Sequence, residues 1–113
     1  MPDAESRGWI DRLRGEGSER DEAIAALHAL LVRAARFELG RRSATVARLR
    51  ADVDELANES ANDALIALLR KLDAFRGESR FTTWAYKFAL YETAVKVRRM
   101  AWRGRELPLP SAG

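Results

Sequence analysis

Apolar residues recur along most of this chain at intervals of three and four, the repeat of an α-helix with one buried face. Ile24, Leu27, Leu31 and Ala35 form a first stripe, flanked by Leu30, Ala34 and Phe37. Leu65, Leu68, Leu69 and Leu72 form a second, and Trp84, Phe88, Tyr91, Val95 and Trp102 a third. They predict three long helices, from about Ser18 to Gly40, from about Val53 to about Leu72, and from Thr82 to about Arg103. Ser18 with Asp21 resembles a capping box that opens the first. Gly40 can stop it, with Arg41 and Arg42 complementing the negative helix end. Ser43 to Arg50 reads as a short helical connector carrying Val46 and Leu49, and Asn58 and Ser60 allow a break early in the second long helix. In "DAFRGES", Gly77 relieves backbone strain, while Ser79 or Thr82 can cap the last helix. There is no internal repeat and no strand-like alternation. The expected fold is therefore all-α, a compact bundle of three to four main helices. Residues 1–17, with three glycines and alternating charges, read as a flexible or weakly helical leader in which Trp9, Ile10 and Leu13 dock as one amphipathic turn. Residues 18–105 form the helical domain, and residues 106–113, with Pro108 and Pro110, a linker.

The chain has 113 residues, 47% hydrophobic and 33% charged, the make-up of one globular domain rather than of a disordered segment. It contains no cysteine, which excludes disulfides and thiolate metal sites and fits a reducing, cytoplasmic setting. No apolar run approaches the roughly 20 residues that span a bilayer, so no membrane partner is expected. The opening "MPDAESRGWIDRLRGEG" lacks the apolar core of a secretory signal. The net charge of +3 is unevenly shared. Residues 1–69 hold 10 Lys and Arg against 13 Asp and Glu, whereas residues 70–113 hold 10 against 4, leaving −3 and +6. Such a bipolar chain either turns its C-terminal part toward a polyanion or carries a solvated basic helix.

Enzymatic chemistry finds little support. His28 is the sole histidine and stands among Leu27, Ala29 and Leu30, so a structural role fits it better than zinc binding. No metal and no cofactor are expected. No serine lies in a nucleophile elbow, and neither "GEGSER" nor "GRELPLPSAG" has the strand-turn-helix setting of a phosphate loop. Asp21 and Glu22, like Asp54 and Glu55, are neighbours in sequence and so point to different helix faces. The stretch from Phe75 to Arg99 is different, mixing Trp84, Tyr86, Phe88 and Tyr91 with Lys87, Lys96, Arg98 and Arg99. Rings stack on unpaired bases for about 1–3 kcal/mol each, while cations follow the phosphates. Bases become available to them where a duplex is opened or a base extruded. Packing of Trp84, Phe88 and Val95 against the leucine stripes is the competing account, and the two roles can divide one helix.

The sequence "FRGESRFTTWAYKFA" followed by "VKVRR" resembles region 2 of the extracytoplasmic-function (ECF) sigma factors of bacterial RNA polymerase. The matching residues are Phe75, Arg76, Gly77, Glu78 and Ser79, then Phe81, Thr83, Trp84, Tyr86, Lys87 and Ala89, then Arg98 and Arg99. Upstream, in "ANDALIALLRKL", Asn62 stands at the family's usual glutamine and Asp63 at its usual acidic residue. The resemblance covers most of residues 20–107, with its motifs concentrated in residues 61–103. It implies that Asn62 and Asp63 dock on the clamp helices of the largest catalytic subunit of core RNA polymerase. It implies that Phe75, Arg76, Gly77, Glu78, Ser79 and Arg80 hold a base extruded from the non-template strand of the −10 promoter element. Thr83, Trp84, Tyr86 and Lys87 would contact that strand near the opening, with Lys96, Arg98 and Arg99 on phosphates. RNA synthesis itself would belong to the polymerase.

Leu90, Tyr91 and Val95 depart from the family's pattern, which often has Arg-Asn and Asp at these positions, so the contacts of those polar groups do not carry over. "RRSATVARLRADVDELANES" is also longer than the usual connection between the first two long helices. The helix-turn-helix of region 4 would follow the proline-containing tail, so the chain reads as a domain of a longer factor, with an anti-sigma factor as a further candidate partner. A reading from another class is a helical protein-interaction module that uses Leu65, Leu68 and Leu69 without direct DNA readout.

Overall fold

The computed structural model describes residues 2–106, with side chains through residue 103. Among them the chain is all-α, with α1 (Ala4–Arg14), α2 (Gly17–Arg41), α3 (Ser43–Leu49), α4 (Val53–Arg70) and α5 (Phe81–Glu106), and a 3₁₀ turn at Leu72–Ala74. Helices α2, α4 and α5 pack pairwise as a three-helix centre; α1 lies on α2 and α5, and α3 packs beside α5. None of these helices is long and apolar enough to cross a membrane.

The centre of the bundle is built from a few large residues and many alanines. Leu27 and Leu31 of α2, Leu68 of α4 and Phe81 of α5 are fully buried, with Ala34, Ala61, Ala64, Ala85 and Ala89 filling the crossings between them. A smaller cluster around Leu39, Val46, Leu56 and Val97 closes the opposite end. On α5 the core face is therefore the row Phe81, Ala85, Ala89, Thr93 and Val97, not the aromatic stripe. Small side chains let helices approach within about 8–10 Å, and bulky rings are displaced to the rim of the contact. Trp84 and Phe88 are accordingly half-buried, whereas Tyr91 and Trp102 are 65% and 60% exposed.

Several helix ends differ from the sequence expectation, each for a tertiary reason. α1 is a regular helix rather than a weakly helical leader, because Ser6 and Leu13 are buried and Trp9 and Ile10 pack on the core. α2 opens at Gly17, whose φ of 71° lets the chain reverse directly after α1, so Ser18 falls inside the first turn instead of capping it. Arg20 Nε closes that corner by donating to the Leu13 carbonyl at 2.9 Å. Gly40 stays helical and α2 continues to Arg41, where the buried Glu38 carboxylate accepts from Arg42 Nε at 2.6 Å and from Arg41 at 3.1 Å. α4 runs unbroken through Asn58 and Ser60, capped by Asp52, whose side chain accepts from the Glu55 N–H at 3.1 Å. It ends at Arg70, so Leu72 lies in the 3₁₀ turn.

The cap of α5 comes from neither Ser79 nor Thr82. Ser6 Oγ, reaching over from α1, accepts the Phe81 N–H at 2.9 Å and donates its own proton to the Asp3 carboxylate. At its far end α5 extends to Glu106, into the expected linker, and residues 107–113 of that linker lie outside the described residues.

Candidate nucleic-acid interface

Between Phe75 and the start of α5 the chain passes through Arg76, Gly77, Glu78, Ser79 and Arg80. Arg76, Glu78 and Arg80 are exposed and the other two half-buried. Gly77 holds φ at 77°, the left-handed region that a Cβ disfavours, and this bends the turn back toward α5. Beneath the turn lies an aromatic cluster centred on Phe81, which stacks on Trp9 at 5.7 Å and meets Phe75 edge-on at 5.6 Å. Trp84 joins it, 5.7 Å from Phe81, 5.3 Å from Phe75 and 4.8 Å from Phe88 between ring centroids. The Arg12 guanidinium lies 5.2 Å from the centre of the Trp9 ring. Ring pairs of this kind contribute about 0.5–1.5 kcal/mol beyond their buried area, so the turn rests on a stiff base. Phe75 and Trp84 thus belong first to this cluster, each presenting only part of its ring outward.

Electrostatics at the turn follow from the same contacts. The hydrogen bond from Ser6 holds the Asp3 carboxyl below its ordinary value of 3.8, and the positive charge of Arg80 acts in the same direction. Asp3, Ser6 and Phe81 N–H therefore form a chain in which an ionised carboxylate strengthens the cap at the positive end of α5.

Along α5, Thr83, Lys87, Tyr91, Arg98 and Trp102 are exposed at spacings of four and seven, so they share one outward ridge. Tyr86 turns toward α2 and lines a shallow hollow with Arg33, Thr83 and Lys87. Trp84 turns toward α4 and lines another with Lys71, Lys87, Phe88 and Tyr91. Arg76, Arg80, Lys87 and Arg98 form no ion pair with any described residue. Lys96 differs from them. Its side chain is 19% exposed and contacts Asp63 Oδ2 at 2.5 Å and Glu92 Oε1 at 3.5 Å, which ties α5 to α4. Arg99 is exposed and borders two hollows, one facing Glu55 and Glu59 of α4, the other shared with Tyr91 and Trp102.

Asn62 and Asp63 are both exposed on α4 but engage different neighbours. The Asn62 carbonyl oxygen lies 2.9 Å from His28 Nε2 on α2, and Asp63 pairs with Lys96 on α5. His28 thereby has a structural partner. Leu68 is buried, and Leu65 and Leu69 pack against the core, so these leucines face the bundle interior. Among the described residues, no group of three or more His, Asp and Glu is placed to hold a metal ion.

The structure thus gathers the turn, Thr83, Trp84 and Lys87 at one end of α5, sets Arg98 and Arg99 farther along it, and takes Lys96 out of the unpaired set. Ser6, Trp9, Arg33 and Lys71 support or border this face without belonging to the sequence motif. They come from α1, α2 and the end of α4, so the motif itself does not mark them. None of the family models, curated proteins and solved structures compared with this chain matches it.

Proposed function

We propose that this chain is a transcription-initiation domain of the kind found in region 2 of ECF sigma factors, binding core RNA polymerase and capturing the non-template strand of an opened −10 promoter element. The observation that carries this reading is the accessible Arg76–Arg80 turn, set on a rigid aromatic base and continuous with the Thr83 and Lys87 ridge. An extruded base would be held at the turn, between exposed cations and the outward edges of Phe75 and Trp84. Tyr86 and Lys87 would follow the strand, with Arg98 and Arg99 on its phosphates. Asn62 and Asp63, on the exposed side of α4, would meet the polymerase clamp helices. In this reading the domain contributes binding and strand capture, and the polymerase supplies catalysis.

Selection from a random single-stranded DNA library tests this directly. A consensus should be enriched, the full chain should bind it more tightly than its scrambled counterpart, and Arg76→Ala with Arg80→Ala should abolish the difference. Enrichment of no sequence, or a consensus whose binding ignores the turn variants, would overturn the reading. Pull-down of core RNA polymerase, weakened by Asn62→Ala with Asp63→Ala, tests the docking side.

A further inference from the structure

Two of the largest exposed apolar side chains, Tyr91 and Trp102, are not absorbed by the turn or its motif. They stand eleven positions apart, close to three helical turns, so they lie on one face of α5 about 16 Å apart along its axis. Arg98 and Val95 fall between them on that face, and Arg99 and Arg103 flank it. These six residues line a single open hollow. Tyr91 also borders the neighbouring hollow with Trp84 and Lys87, so the surface is continuous with the turn end of α5. Glu92, the acidic residue closest in sequence to this stripe, borders that neighbouring hollow, where Lys96 Nζ lies 3.5 Å from its carboxylate, and does not line the hollow between Tyr91 and Trp102.

We infer that Tyr91 and Trp102 form a second stacking platform for unpaired nucleotides, with Arg98, Arg99 and Arg103 on the intervening phosphates. Charge complementarity selects the occupant. A surface that alternates exposed rings with cations matches a polyanion whose subunits carry planar apolar faces, which describes single-stranded nucleic acid. A duplex would offer the cations its phosphates but keep its bases stacked on each other. The platform is indifferent to sequence because every base has a π-face. It rests on the proposed DNA-binding reading only in continuing the same strand, since the stripe would hold any single strand of sufficient length.

The test uses the full chain with oligo(dT) of 4 and 12 nucleotides and a 12-base-pair duplex. Tyr91→Ala with Trp102→Ala should weaken the 12-mer by at least about tenfold, leave the 4-mer much less affected, and change duplex binding little. Tyr91→Phe, which keeps the ring, should retain most of the affinity. Trp102→Phe should remove a large share of the tryptophan quenching that the 12-mer produces. Both positions are exposed, so an unchanged melting curve verifies folding, and the quenching measurement stands on its own if the double variant is impaired. Undiminished 12-mer binding in the folded double variant would overturn the proposal. So would a dimer of the chain, seen by sedimentation, that depends on these two rings and excludes DNA. A failure of sequence selection with oligo(dT) binding intact would remove the promoter reading and leave the platform standing. Selective binding of a consensus that ignores both rings would do the reverse.

Discussion

Ser6 shows how one side chain can organise a site to which it does not belong. Its hydroxyl accepts from the Phe81 N–H and donates to Asp3, and it is 1% exposed, so water cannot replace it. Ser6→Ala should cost about 1–2 kcal/mol, the usual loss for a cap whose donor stays buried, as read by denaturant unfolding. The linked carboxylate gives this contribution a pH dependence. Because the folded-state pKa of Asp3 is lowered, the stabilisation is fully present above the ordinary carboxyl value and is lost as pH falls through the folded one. Asp3→Asn should therefore lower stability at neutral pH and flatten the acid limb of the profile below about pH 4, so that variant and parent converge in acid. An acid limb identical to that of the parent would show that the carboxylate does not act on the cap.

At the level of elements, the contact between α4 and α5 separates structural cations from available ones. The family resemblance puts Lys96 with Arg98 and Arg99 on phosphates, yet Lys96 faces α4 and pairs with Asp63. Lys96→Ala should lower stability by about 0.5–1 kcal/mol, a figure discounted because Asp63 is half exposed. The same substitution should reduce affinity for single-stranded DNA less than Arg98→Ala does, as measured by anisotropy. A larger loss of DNA binding from Lys96→Ala would return Lys96 to the interface. α1 too depends on a distant partner: its short amphipathic pattern reads as a loose leader until Phe81 supplies a surface for Trp9 to stack on.

For the whole molecule, only part of the C-terminal excess of positive charge shares one exposed ridge, Lys87 with Arg98, which a single continuous helix from Phe81 to Glu106 keeps in line. Binding of single strands should weaken with salt by about 0.7 in the log–log slope for each phosphate neutralised. Arg98→Ala with Arg99→Ala should therefore reduce that slope by about 1.4, and an unchanged slope would mean that neither residue meets a phosphate. The three long helices, their periodicity and the turn before α5 were legible from the sequence alone, because a helix repeats every 3.6 residues and a glycine-centred turn is encoded by adjacent residues. The face of α5 that enters the core, the donor of its cap and the cations left unpaired were decided only by the tertiary structure. Each depends on a partner far away in the chain: alanines that allow close helix approach, a serine from α1 and an aspartate from α4.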